Sequence, residues 1–256
     1  MGSQTGPQRR VPASSRAMKV HRASIACVLL VVAGLAQHGE AHAQSGGYLA
    51  GREVDYRTVL GPPPAADSPW DHADQELVEA LQSVDEARWQ MAERDQEELY
   101  PRFADAFGRP VDRNTSPALV ALLDRAILDV ETTASAAKDH FSRPRPFQRV
   151  QLHRVCAKPS APKPEEHAMH GVSYPSGHSS RGWAVAMILA RVAPDRTEAL
   201  MARAEQYEES RVVCGMHFPT DVEAGHAVAT AVVAHLDASK AFQADLARAR
   251  KEHTSR

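Results

Sequence analysis

Aromatic side chains make up only 5% of this chain of 256 residues. That is too few for the stacked platforms that hold single-stranded nucleic acid. Neither charge dominates: 30 Lys and Arg stand against 32 Asp and Glu, a net charge of −2. Such a balance sets up no field for a polyanion, so a nucleic acid polymer is disfavoured as a partner and any anion must be held by local clustering. Long apolar runs are lacking as well. The stretch Ile25 to Ala36 falls short of the roughly 20 residues that a membrane-crossing helix needs, which argues against stable membrane insertion. Cysteine occurs three times, and neither repeats, heptads nor convincing strand alternation are found. Alanine is abundant and β-branched runs are short, a bias towards helix. With 43% hydrophobic residues, a chain of this length can bury a full core.

The N-terminal region reads as a targeting segment. Lys19, His21 and Arg22 follow Met18, then come the apolar run and Ala41-His42-Ala43. A basic head, a short hydrophobic stretch and a small-x-small cleavage site describe a signal peptide over residues 18–43; the alternative is a buried helix. Residues 1–17 then form an upstream extension, the mature chain starts near Gln44, and the location is periplasmic or secreted. Cys27 falls inside the signal, leaving Cys156 and Cys214, which are either a disulfide pair or two separately buried thiols.

Hydrophobic spacing divides the remainder into helices. Asp67 or Ser68 before Pro69 marks a helix start, and Leu77, Leu81 and Val84 extend one helix from Asp71 to about Glu98, until Pro101. Ser116-Pro117 opens another that reaches about Lys138. Six prolines break up residues 142–175, a long loop of the functional kind. Apolar residues 179–192, an amphipathic stretch 195–213, a helix 224–236 opened by a capping box Thr220-x-x-Glu223, and a short charged helix 240–252 complete the chain. The expected fold is all-α, a single domain of packed helices over residues 44–256.

Three segments carry chemistry. Lys138-Asp139-His140-Phe141-Ser142-Arg143-Pro144-Arg145-Pro146 supplies Lys138 and the planar donor fork of Arg145, suited to phosphate oxygens; as an alternative it is a solvated basic turn. Pro175-Ser176-Gly177-His178 places a turn before an apolar helix, where free N–H groups and the dipole cradle an anion. There Gly177 allows close approach, Ser176 is either ligand or simple helix cap, and His178 stands ready to protonate a leaving group. In Ser210 to Asp221, Arg211 is a fixed cation, His217 a candidate nucleophile and Asp221 the carboxylate that orients its ring, or else only a favourable charge at a helix start. Together they offer what in-line phosphoryl displacement requires.

The pattern Lys-x6-Arg-Pro, Pro-Ser-Gly-His and Ser-Arg-x5-His-x3-Asp resembles that of the phosphatidic-acid-phosphatase type 2 and vanadium haloperoxidase superfamily. The closer resemblance, over roughly residues 48–250, is to the secreted bacterial class A non-specific acid phosphatases. Lys138-Asp139-His140-Phe141, Pro62-Pro63-Pro64-Ala65 and Ser210-Arg211-Val212-Val213-Cys214-Gly215 carry it. It implies an all-helical, cofactor-free and metal-independent phosphatase acting on small phosphate monoesters, often a homo-oligomer and able in some members to transfer phosphate to alcohols. His217 would form a phosphohistidine, Asp221 would orient it, and His178 would act as acid and then base. Lys138, Arg145, Ser176, Gly177 and Arg211 would hold the phosphate. Val172 and Arg181 depart from the usual pattern, as do Met216 and Phe218 beside the nucleophile; Arg181 reads as pointing to solvent. A vanadate-dependent haloperoxidase and a phosphate-binding protein are the competing readings. His167-x2-His170 with Glu165 and Glu166 is a weaker candidate for zinc, since no second ligand cluster accompanies it.

Overall fold

The computed structural model describes residues 46–156 and 172–255, with the isolated Gly2. The signal-peptide reading, Cys27 and the His167/His170 pair lie outside the described residues. The chain divides into two units, Met1–Ala43 and Gln44–Arg256, and the helices described here all belong to the second. They are α1 (Pro69–Ala80), α2 (Glu86–Arg94), α3 (Ala104–Phe107), α4 (Pro117–Phe141), α5 (Pro146–Arg149), α6 (Gly177–Val192), α7 (Thr197–Val213), α8 (Pro219–Leu236) and α9 (Lys240–Thr254). Among the described residues the sole β feature is an isolated bridge between Pro144 and Val172, so the fold is all-α. None of the described helices is long and apolar enough to cross a membrane.

At the centre lies α6, packed against α4, α7 and α8. Its small residues make this possible. A Cβ at Gly182 would lie 2.4 Å from Tyr207 Cδ1 on α7, so only hydrogen lets that ring come so near. A Cβ at Gly225 on α8 would lie 2.5 Å from the backbone oxygen of Ser176. Around these contacts Leu122, Leu123, Val130, Ile188, Leu189, Leu200, Val228 and Val232 are buried, each contributing roughly 1.5–3 kcal/mol by leaving water.

Helix boundaries differ from the periodicity in instructive ways. The single helix expected over 71–98 is two. A 3-10 turn, Leu81–Ser83, ends the first, and Asp85 caps the second by accepting from the Arg88 N–H at 2.8 Å. The cap outweighs continuity because a short carboxylate satisfies a donor that no earlier carbonyl reaches. Ser116 does not cap α4 with its side chain; instead the Glu252 carboxylate of α9 accepts from Ala118 and Leu119 N–H, both at 3.1 Å. The same helix runs past Lys138 to Phe141 and stops at Ser142, which takes the left-handed conformation (φ 50°). At α8 the helix begins at Pro219, not Ala224. Its N-cap is Phe218, whose N–H donates to Asp221 Oδ2 at 2.8 Å, while Thr220 donates its hydroxyl to Asp74.

Cys156 and Cys214 are joined in a disulfide, Cα–Cα 4.8 Å, across 58 positions of sequence. It packs with Trp89, Ala92, Val213 and Met216. Closing a loop of that length restricts the unfolded chain by about 4 kcal/mol. Chemical denaturation of the paired Cys156→Ser/Cys214→Ser variant is therefore expected to show a loss of that order, and an unchanged midpoint would count against it.

Candidate active site

Backbone hydrogen bonds tie the three sequence segments together. The Ser173 N–H donates to Arg143 O at 2.7 Å, joining the first segment to the second, and the Ser176 N–H donates to Asp221 O at 2.8 Å, joining the second to the third. Pro146 keeps Arg145 extended (φ −77°, ψ 158°), as the ring beyond it requires. Ser176 is the N-cap of α6, accepting from the Ser179 N–H at 3.2 Å, and it is fully buried. Gly177 opens the helix, and a Cβ there would meet Lys138 Cε at 3.7 Å, inside the cavity.

The Arg-x5-His spacing is a way of ending a helix. Gly215 adopts φ 65°, which glycine takes without the Cβ clash. The chain then folds back so that Met216 and His217 N–H both donate to Arg211 O, at 3.1 and 3.2 Å. Guanidinium and imidazole are thus set by one turn.

A cavity of about 330 Å³ is lined by Lys138, Arg145, Gly177, His178 and His217, with Glu131, Ser135 and Arg181 among its other walls. His217 is 2% exposed. Its Nε2 lies 3.0 Å from Arg145 Nη1, a donor, so Nε2 carries the lone pair and Nδ1 the proton. Asp221 does not take that proton directly: its Oδ2 is 3.8 Å from Nδ1. Ser173 stands between them, donating to Asp221 Oδ2 at 2.5 Å and lying 3.4 Å from Nδ1. The expected direct pair is a relay, because Asp221 is already engaged by the Phe218 N–H and by Arg143.

Arg143, between Lys138 and Arg145 in the first segment, is 5% exposed. Its Nη1 donates to Asp221 Oδ1 at 2.7 Å, and its Nη2 to Asp71 and Asp74 at 3.2 and 2.8 Å. It also lies over the Phe218 ring, 4.3 Å from its centre. Asp71, Asp74 and Ser173 were not found by sequence reasoning. The two aspartates sit three apart on an amphipathic helix, where carboxylates read as a solvated face. Phe218 faces this network and Met216 the disulfide, so neither lines the cavity. His140 packs against Tyr56 and Phe141, and His226 packs at a tilt against Trp183.

Arg181 departs from its expected solvent-facing position. Its Nη2 is 3.3 Å from His178 Nδ1 and its Nη1 donates to Glu131 at 3.1 Å.

Lys138 and Arg211 are 7% and 2% exposed, yet among the described residues neither has a carboxylate at ion-pair distance. Lys138 Nζ donates to Val172 O at 3.0 Å, and Arg211 Nε has no hydrogen-bond partner. Buried cations without a counter-charge are costly and call for an anion. Burial, then the neighbouring Arg145, pushes Lys138 down to about 7; burial also pushes Arg145 and Arg211 to about 10. Both histidines are held well below their usual range, chiefly by burial. The next contribution is Arg145 for His217 and Arg211 for His178.

Protonated Lys138 attracts an anion and neutral Lys138 does not, so anion affinity is present below its pKa and lost above it. Sulfate keeps its charge across this range. Its affinity, followed by calorimetry from one unit below to one unit above that value, should fall about tenfold. A flat profile would remove Lys138 from the anion site.

Among the described residues no group of three or more His, Cys, Asp or Glu is placed to hold a metal ion. The family model described as PAP2 superfamily matches residues 118–241. The chain is 34% identical over 198 residues to an acid phosphatase of Zymomonas mobilis, covering 75% of this chain and 73% of that protein. It is 31% identical over 205 residues to non-specific acid phosphatases of Providencia stuartii and Salmonella typhimurium, covering 78% of this chain and 81% and 80% of theirs. A matching family model, together with relatives alike over most of both lengths, means that this chain belongs to the PAP2 superfamily.

Proposed function

We propose that the chain is a secreted, metal-independent acid phosphatase that hydrolyses phosphate monoesters through a phosphohistidine. One observation carries the reading: among the described residues Lys138 and Arg211 are buried cations with no carboxylate at ion-pair distance, Lys138 lining the cavity beside His217 and Arg211 lying close enough for its charge to bear on both histidines. The names of the similar proteins support the same activity.

In this mechanism His217 Nε2 attacks phosphorus while the bond to the ester oxygen breaks, and His178 gives its proton to that oxygen. Water then attacks phosphorus from the vacated side and His178 takes its proton. The N–P bond breaks, and phosphate and His217 are released. An alcohol in place of water gives transfer. Lys138, Arg145, Arg211 and the N–H groups at the start of α6 neutralise the equatorial oxygens. Ser173 and Asp221 hold the Nδ1–H tautomer. Because His178 must be protonated and its pKa is depressed, its acid form is favoured on the acidic side. A neutral His217 is required at the same time, so the rate profile is bell-shaped.

The test is hydrolysis of p-nitrophenyl phosphate with a metal chelator present, beside a bromoperoxidase assay with added vanadate. Chelator-resistant release of nitrophenol, strongest at acidic pH, is the expected result. Loss of activity to the chelator, or peroxidase activity alone, would reject the reading.

A further inference from the structure

Arg181 sits three residues after His178 in the first turns of α6, so the two side chains share a face. Its guanidinium lies against the His178 ring, 3.3 Å from Nδ1. In the mechanism above, His178 delivers its proton to the departing oxygen. A cation beside that ring therefore stands beside the leaving group. The same residue also forms part of the wall of a second cavity of about 490 Å³, lined by Leu99, Tyr100 and Ile127 and by the charged Glu98, Asp112 and Arg113 among others. Arg181 thus borders both cavities.

The charges of the first cavity do not balance. Lys138, Arg145 and Arg181 line it, and among the described residues Glu131 is the one carboxylate in its lining. The phosphoryl group would be held by Lys138, Arg145 and Arg211, which leaves Arg181 over. Its pairing with Glu131 is at the rim, the two side chains being 32% and 45% exposed. Such pairs contribute only about 0–1 kcal/mol, so an anion already anchored by its phosphate can displace the glutamate.

We propose that Arg181 is a specificity-determining residue that recognises a second anionic group, a carboxylate or a phosphate, on the leaving group, with Glu131 as its exchangeable counter-ion. This rests on the phosphatase reading and assigns the substrate class of the same site.

The experiment compares kcat/KM for the phosphate monoesters of glycerate and of glycerol, which differ by a carboxylate at the far end. General effects on turnover, including any on His178, largely cancel in the ratio. Arg181→Gln should lower the glycerate-to-glycerol ratio about tenfold, the strength of one charge-assisted hydrogen bond. Glu131→Gln should raise it, because the competitor for the guanidinium is gone. Inorganic pyrophosphate, whose leaving group is itself anionic, should follow the glycerate ester in both variants. A ratio unmoved in Arg181→Gln, or moved the same way by both substitutions, overturns the proposal. Hydrolysis of both esters with an unmoved ratio shows that this inference alone has failed. Hydrolysis of neither shows that the phosphatase reading has failed with it.

Discussion

Replacing His217 by alanine is expected to lower kcat for p-nitrophenyl phosphate by at least about ten-thousandfold, as removal of a covalent nucleophile does elsewhere. The reason is local. In the proposed mechanism the Nε2 lone pair is the attacking group, and the ring lines a cavity whose other polar walls are largely cations and their partners. The loss should fall on kcat, because Lys138, Arg145 and Arg211 would still bind the phosphate. Rapid quenching with labelled substrate should yield no phosphoenzyme. His178→Ala should behave differently: activated esters, which need no acid to depart, should still load the enzyme, and the intermediate should accumulate because water lacks its base. The bound phosphate should survive alkali and be lost in acid, as a phosphoramidate is. Near-normal turnover in His217→Ala would show that the attacking group is another one.

Arg143→Met should cost stability as well as activity. One guanidinium is shared by Asp71, Asp74 and Asp221, all within 2% of full burial. Asp71 keeps Arg149, which donates to both its oxygens at 2.6 and 2.7 Å, but removing Arg143 strands Asp74 and Asp221, a loss of about 3–5 kcal/mol for a broken buried pair. For a domain of this size that corresponds to roughly 10 °C in Tm. A second substitution, Asp74→Asn, should restore part of the loss, because one uncompensated charge goes with it. If the double variant is as unstable as the sum of the two single ones, the charges are not coupled as the geometry says.

The sequence made some of this legible and hid the rest for physical reasons. Lys138, Arg145, His178 and His217 line one cavity, and the backbone bonds through Ser173 and Ser176 explain how segments so far apart in the chain meet. Periodicity found the helix interiors because apolar stripes repeat. It misplaced the start of α8 because Asp221, acting as the reciprocal partner of the Phe218 N–H, occupies the position that a Thr220 cap would have given away. It ran α1 into α2 because Asp85 looks like any polar surface residue until its side chain closes on the Arg88 N–H. Ser173 went unseen for another reason: a hydroxyl carries no charge and no period, and its relay role follows from position alone. Arg181 read as solvent-facing because nothing in the spacing shows that Glu131, fifty positions earlier, lies across the cavity rim.

Gly225 sits one turn beyond Asp221, where α8 meets the start of α6. A side chain there would strike the carbonyl of Ser176, with Ser179 Cβ and Ser180 N at 3.0 and 3.1 Å behind it. The helix carrying Asp221 therefore rests directly on the backbone of the turn that carries His178. At this point the approach of α8 to the start of α6 is gauged by main chain on main chain. One methyl group at Gly225 would wedge the two helices apart. The calibration of the site lies in a residue with nothing to offer the substrate.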